Sequence, residues 1–166
     1  LNAQEQQAYK VGLVGFYNLE NLFDTINDPQ KNDEEFLPQG FNQWNTEKYM
    51  TKLHNMAYAI STIGTDITPD GVAVLGVSEV ENRHVLEDLV AQPEIKDRNY
   101  QIVHYDSPDR RGVDVGLIYN PKYFKLLSSK SFPTIIPNEP DHITRDQLLV
   151  SGLFDGEMMH FIVMHW

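Results

Sequence analysis

Gly71-Val72-Ala73-Val74-Leu75-Gly76-Val77-Ser78-Glu79-Val80 is apolar until Ser78 and Glu79, its first polar residues. A short apolar run bounded by polar residues and enriched in valine reads as a strand buried on both faces. Such a strand needs layers above and below it, and the flanking sequence supplies them. Upstream, Asn45 is a good N-cap for a helix over Thr46–Ile63, whose Tyr49, Met50, Leu53, Met56, Ala57, Ile60 and Ile63 fall at helical spacing. Gly64 closes that helix as its C′ residue. Downstream, Asn82–Gln92 reads as a short helix stopped by Pro93.

Further out, Val11–Tyr17 (VGLVGFY) is a second apolar run and is expected to be another strand covered on both faces, with Asn18 directly after it. The polar, acidic stretch from Asp24 to Gln43, containing Pro29, Pro38 and Gly40, reads as a long surface loop. Tyr100–Tyr105 and Val113–Tyr119 are expected strands joined by an exposed polar loop, Asp106 to Gly112. Gln147–Phe154 and Glu157–Met164 form a hairpin across Asp155-Gly156, a dipeptide that favours a type I′ turn. Hairpins mixed with helical crossovers imply a mixed sheet flanked by helices, an α/β class.

The 166 residues, 41% of them apolar, suit one domain with a core of its own, and no repeat or linker divides them. No apolar run reaches the ~18 residues of a membrane span, so membrane insertion is not expected. The absence of cysteine excludes a disulfide framework, a thiolate zinc site and a cysteine nucleophile. A net charge of −11 disfavours broad attraction to nucleic acid. Bound divalent cations can nevertheless supply positive potential in a phosphate-handling enzyme that is acidic overall.

The N-terminus, Leu1-Asn2-Ala3-Gln4-Glu5-Gln6-Gln7, has neither a positive n-region nor an apolar h-region. Residues 1–10 are therefore expected to be a loose or processed tail. The Leu1-Asn2-Ala3 start and the lack of cysteine favour export over a cytoplasmic location. At the other end, the last strand runs into His165 and Trp166. Chains rarely finish inside a buried strand, so polypeptide beyond Trp166 is expected, with 11–166 forming an incomplete domain.

Several buried strands end in groups that bind cations or phosphate: Asn18 and Glu20 after the first, Ser78, Glu79 and Glu81 at the second, His165 after the last. Ligand sites in open sheets gather where strands end. Each residue also has an ordinary structural reading. Glu79 suits a solvated strand end, Asn18 and Glu20 suit turns and caps, and His165 suits a packed or solvent-facing position. Arg111 and Arg145 suit surface cations, with Asp114 pairing to one of them. Phosphate loops, dinucleotide fingerprints and the H-E-x-x-H motif are absent, and Ser78 lacks the second glycine of a nucleophile elbow.

Five segments in order carry a resemblance: Tyr17-Asn18-Leu19-Glu20-Asn21, Val77-Ser78-Glu79-Val80-Glu81-Asn82, Arg111 to Tyr119 (RGVDVGLIY), Thr144-Arg145-Asp146, and Val163-Met164-His165-Trp166. Together they resemble the first motifs of the endonuclease/exonuclease/phosphatase family, the relatives of deoxyribonuclease I, from Val11 onward. The resemblance implies a four-layer α/β sandwich, of which this chain holds about the first half. It also implies Mg²⁺- or Mn²⁺-dependent cleavage of a phosphoester.

In that family Glu79 would be the principal metal ligand, Asn18 would lie beside the metal, and Glu20 would help to bind it. Arg145 and His165 would face the phosphate, and Arg111 and Asp114 would lie near the substrate rim. Mg²⁺ takes hard oxygen ligands and keeps several waters, so this small donor set suffices. The family's later Gly-Asp-x-Asn and Ser-Asp-His motifs, which orient and activate the attacking water, are absent. The chain alone is therefore expected to cleave nothing efficiently and to need the remaining C-terminal half as partner. The first and second segments look most like bacterial nuclease-like members, which places DNA or RNA first among substrates and small phosphoesters such as inositol phosphates or phospholipid head groups second. A non-catalytic binding module of the same fold is the alternative from another class, and an unrelated α/β domain, which needs all five matches to be accidental, is the third reading.

Overall fold

The computed structural model describes residues 10–139 and 142–166. The expected tail therefore lies outside the described residues, except for Lys10. Among the described residues, seven strands and two α-helices follow the order β1 (Leu13–Leu22), α1 (Thr46–Thr62), β2 (Val72–Val80), α2 (Arg83–Val90), β3 (Gln101–His104), β4 (Asp114–Tyr119), β5 (Phe124–Phe132), β6 (Gln147–Phe154) and β7 (Glu157–Val163). Four strands form a mixed sheet in the order β1-β2-β4-β3, with β1 parallel to β2 and the other pairings antiparallel. The other three form an antiparallel sheet, β5-β6-β7.

The two cores lie on opposite faces of the mixed sheet. Leu53, Ala57 and Ile60 of α1 and Val85, Leu86 and Leu89 of α2 pack on Leu75, Val77, Val80 and Ile118. On the reverse face, Val74, Val115 and Leu117 meet Phe124, Leu148, Val150 and Val163 of the second sheet. Helices, mixed sheet and second sheet thus make three layers of an α/β sandwich, and both α-helices belong to the mixed sheet.

Both α-helices begin where their caps dictate. The Asn45 side chain accepts from the Lys48 N–H, and the Asn82 side chain accepts from the Val85 N–H. α1 ends in a left-handed Gly64 (φ 72°), which a Cβ would drive into the Leu13 side chain. The Asp155-Gly156 turn has both residues at positive φ, as a type I′ turn requires.

Four sequence expectations change. β1 runs on to Leu22, and its Val14 and Phe16 are half exposed, so this strand is covered on one face only. The second sheet lies mainly over β2, with Val163 against Gly76, and leaves Val14 and Phe16 of the neighbouring strand half open. The loop after β1 is partly interior, with Asp24, Asp33 and Leu37 buried and Phe36 stacked on Phe23 at 4.2 Å. The 106–112 loop is likewise not simply exposed, since Ser107 and Asp109 are buried. Finally β5, which no sequence signal marked, is a strand; its Lys and Ser residues suit an edge strand with one solvated face.

Candidate metal and phosphate site

The site grows from a defect in the central ladder. Asn18 pairs with Ser78 and Leu22 with Val80, so three residues of β1 face only Glu79 of β2. Against β4, Ser78 pairs with Val115 and Val80 with Asp114, so there it is Glu79 that is one residue in excess. Extra residues bend a strand and turn a side chain out of the pleat. Glu20 (φ 51°), Asn21 (φ 59°) and Glu79 (φ 58°) are all left-handed in consequence. Each such residue costs on the order of 1–3 kcal/mol, so the surrounding packing must hold it in place.

Around this bulge Asn18 Oδ1 accepts the Glu20 N–H at 2.7 Å, and Glu79 Oε2 accepts the Asn21 N–H at 3.0 Å. Lys52 of α1 donates its ammonium to the Glu20 carbonyl. Burial lowers the Lys52 pKa, while the carboxylates of Glu20 and Glu79 oppose that shift. Glu79 Oε1 is left facing His165 Nε2 at 3.6 Å.

His165 follows β7, and its Nδ1 lies 3.2 Å from Arg145 Nη1. An arginine can only donate, so Nδ1 accepts and a neutral imidazole carries its proton on Nε2, toward Glu79. Arg145 Nε lies 3.6 Å from Asp109 Oδ2 and 3.3 Å from Thr144 Oγ1. Arg111 donates from Nη2 to Asn21 Oδ1 at 2.9 Å. One line of contacts therefore links Asp109, Arg145, His165, Glu79, Asn21 and Arg111, drawn from both sheets and two loops.

Asn18 and Glu20 sit on the same bulge, with the Glu20 side chain exposed. Asp114 is placed differently. It is buried, its Oδ1 accepts the N–H and hydroxyl of Ser107, and its Oδ2 lies 3.2 Å from His104 Nε2. The expected pairing of Asp114 with Arg111 or Arg145 is therefore corrected: the carboxylate beside Arg145 is Asp109, because Asp114 is turned into the base of the 106–112 loop.

Glu79, Glu20 and Asn18 offer two carboxylates and an amide, the hard oxygen donors that Mg²⁺ or Mn²⁺ prefers, and Glu79 Oε1 has, among the described residues, no partner nearer than His165 Nε2 at 3.6 Å; the chemistry of the donor set fits such an ion. A second group with ligand atoms within 4.8 Å of one another is His104, Asp106 and Asp114. There the imidazole faces Asp106 with Nδ1 at 3.9 Å and Asp114 with Nε2 at 3.2 Å, so it bridges two carboxylates through different nitrogens.

Nearby, burial pushes the Glu81 carboxyl up to about 8; the Asp24 N–H opposes the shift, and the charges of Asp24, Asp33 and Asp28 add to it. A groove of about 520 Å³ opens beside Glu20, lined by Trp44, Lys48, Lys52 and Met56 among others. Sequence reasoning missed Asp109, Asn21 and Lys52. Only Asp109 had a local signal, its place two residues before Arg111, whose N–H it accepts at 2.9 Å.

The family model described as Endonuclease/Exonuclease/phosphatase family matches residues 13–166. No curated protein matches the chain. Among solved structures, TDP2 from C. elegans superposes with a TM-score of 0.44 at 16% identity, over 71% of this chain and 31% of that one. The endonuclease/exonuclease/phosphatase from Bacteroides vulgatus gives 0.45 at 14% identity, over 89% of this chain and 49% of that one. ANGEL2, a 2',3'-cyclic phosphatase, gives 0.38 at 20% identity, over 60% of this chain and 26% of that one. The chain thus spans between about a quarter and a half of each of those chains.

Proposed function

Because this chain belongs to the endonuclease/exonuclease/phosphatase family, we propose that it builds the metal- and phosphate-binding part of a divalent-metal-dependent phosphoesterase, with nucleic-acid phosphodiesters as the first substrate class. The observation that carries this reading is the convergence of Glu79, His165 and Arg145, from three separate elements, within 3.6 and 3.2 Å of their neighbours in the line.

Glu79, with Glu20 and Asn18, would hold Mg²⁺ or Mn²⁺, which supplies Lewis-acid stabilisation of charge on the phosphoryl oxygens. The remaining work falls to the protein. Arg145 presents a planar fork of donors suited to two oxygens of one phosphate. His165 holds a proton on Nε2 at the Glu79 side, where it can donate to a phosphate oxygen. Arg111, tied to Asn21, adds a cation at the rim. Donors fixed before the charge develops are the main source of stabilisation in such sites.

The attacking water needs a base that this set does not contain. We assign that role to polypeptide beyond Trp166, and we assign the cover of the half-exposed inner face of β1, at Val14 and Phe16, to the same segment. A second reading, a phosphatase or phosphodiesterase for small phosphoesters, is favoured by the net charge of −11.

The test is hydrolysis of bis(p-nitrophenyl) phosphate and of plasmid DNA by a polypeptide that extends past Trp166, with and without Mg²⁺. The expected result is turnover that chelation abolishes, and no turnover from residues 1–166 alone. Undiminished activity in a chelator would overturn the metal-dependent reading. Efficient cleavage by the 166-residue chain would overturn the assignment of the base to a further segment.

A further inference from the structure

We propose that Asp109 is a positioning residue for the phosphate-binding groups: its buried carboxylate aims Arg145, and through Arg145 His165, at the space beside Glu79, while fixing the turn from which Arg111 projects. The functional consequence rests on the phosphoesterase reading above; the geometry does not.

Asp109 is 4% exposed. A carboxylate at that depth is strongly unfavourable unless charges and donors meet it. Both of its oxygens are engaged: Oδ1 accepts the Arg111 N–H at 2.9 Å, and Oδ2 faces Thr144 Oγ1 at 3.4 Å and Arg145 Nε at 3.6 Å. Arg145 Nε donates to Thr144 Oγ1 at 3.3 Å, and that hydroxyl donates on to Asp109 Oδ2, so Asp109 holds Nε through Thr144 and by its charge; with His165 Nδ1 at 3.2 Å from Nη1, these partners set the orientation of the planar fork. His165 is thereby held with Nε2 toward Glu79.

The loop that carries Asp109 is braced for the purpose. Lys31 Nζ donates to the Ser107 carbonyl at 2.7 Å and to the Asp109 carbonyl at 3.4 Å, and the Asn32 N–H donates to the Arg110 carbonyl at 3.1 Å. Asp114, itself against His104, anchors the loop through the Ser107 N–H and hydroxyl. A fixed negative charge so near a phosphate pocket opposes the anion. It is useful there only if orientation of the arginine outweighs that repulsion.

The test uses the 166-residue chain, inorganic phosphate as probe, and ¹⁵N NMR of the Arg145 Nε–H, assigned by its absence in Arg145→Lys. In the native chain this resonance is expected to be sharp and protected, and phosphate to shift it together with the His165 ring signals. Asp109→Asn keeps the shape and removes the charge. It is expected to broaden or erase the Arg145 Nε–H, to leave amides outside 106–112 and 144–146 in place, and to weaken phosphate binding about tenfold, the low end of what loss of a residue that orients a ligating group costs. An Arg145 Nε–H and a phosphate affinity that stay native in Asp109→Asn overturn the proposal.

If the native chain fails to bind phosphate, the phosphate-binding reading fails, while the Arg145 resonance still decides the positioning role. Should Asp109→Asn not fold, Asp109→Glu decides instead. It keeps the charge but adds a methylene, and displaced Arg145 and His165 side-chain signals over unmoved 106–108 amides support positioning. Unmoved Arg145 and His165 signals in Asp109→Glu overturn it.

Discussion

Glu79 joins an unfavourable backbone to a carboxylate facing His165, at a point where β1 carries two residues too many against it and where it is itself one residue too many against β4. With one oxygen committed to the Asn21 N–H, the other defines the proposed metal position. Glu79→Gln keeps the shape and a hydrogen-bonding carbonyl but removes the charge. Mn²⁺ affinity of the chain, measured by calorimetry, should fall by roughly tenfold or more, since hard cations depend on carboxylate oxygens. An unchanged affinity would place the ion elsewhere. On the far side of the fold, Asp70 accepts from Lys122 Nζ and from the Tyr123 hydroxyl at 2.6 Å, and these bonds hold its carboxyl below the ordinary aspartate range. A carboxyl depressed in the folded state stabilises above the unfolded value near pH 4, and that contribution is lost as pH falls through the folded value. Asp70→Asn should therefore cost at most ~1 kcal/mol at neutral pH, as exposed pairs do, and flatten the loss of stability on acidification, read by urea titrations between about pH 3 and 6.

α1 and α2 were legible as elements because their signals are local. Asn45, the run of apolar residues at helical spacing and Gly64 lie within one stretch of chain, and Asn82 to Pro93 repeats the arrangement on a smaller scale. Met50 is the exception on the first helix, being nearly half exposed where the spacing put it inward. Asn82 adds a second contact, donating to Asp24 Oδ2 at 3.4 Å. Asn82→Ala should cost about 1 kcal/mol from the lost cap, seen as a lower thermal midpoint. Hydrogen exchange should show the loss concentrated in the first turn of α2. β5 was not legible, because Phe124–Phe132 mixes Lys and Ser with its apolar residues, and its pairing with β6 lies some 20 residues along the chain. The covering of β1 was misjudged for a related reason: an apolar run shows that a strand wants cover but not which neighbour provides it.

At the scale of the whole molecule, the face of β1 carrying Val14 and Phe16 and the outer residues Met158 and Ile162 of β7 remain open to solvent. Under the proposed function, this exposed apolar surface is the face that the segment beyond Trp166 would cover. Phe16→Ser should lower the binding of a hydrophobic dye to the 166-residue chain while destabilising a polypeptide that extends beyond Trp166, and denaturant melts of the two lengths separate these effects. Equal effects on both lengths would show that nothing beyond Trp166 covers this face. By itself the sequence determined the α/β class, the two helices with their caps, the hairpin at Asp155-Gly156 and the strand-end positions of Asn18, Glu20, Glu79 and His165, because those depend on neighbours a few residues apart. Only the tertiary structure decided that Arg145 reaches His165, that Asp109 stands behind Arg145, and that Asp114 is turned away into a loop base with His104 and Ser107. Those relations join residues from separate strands and loops, and the doubly bulged ladder that creates them exists only once β1, β2 and β4 are paired.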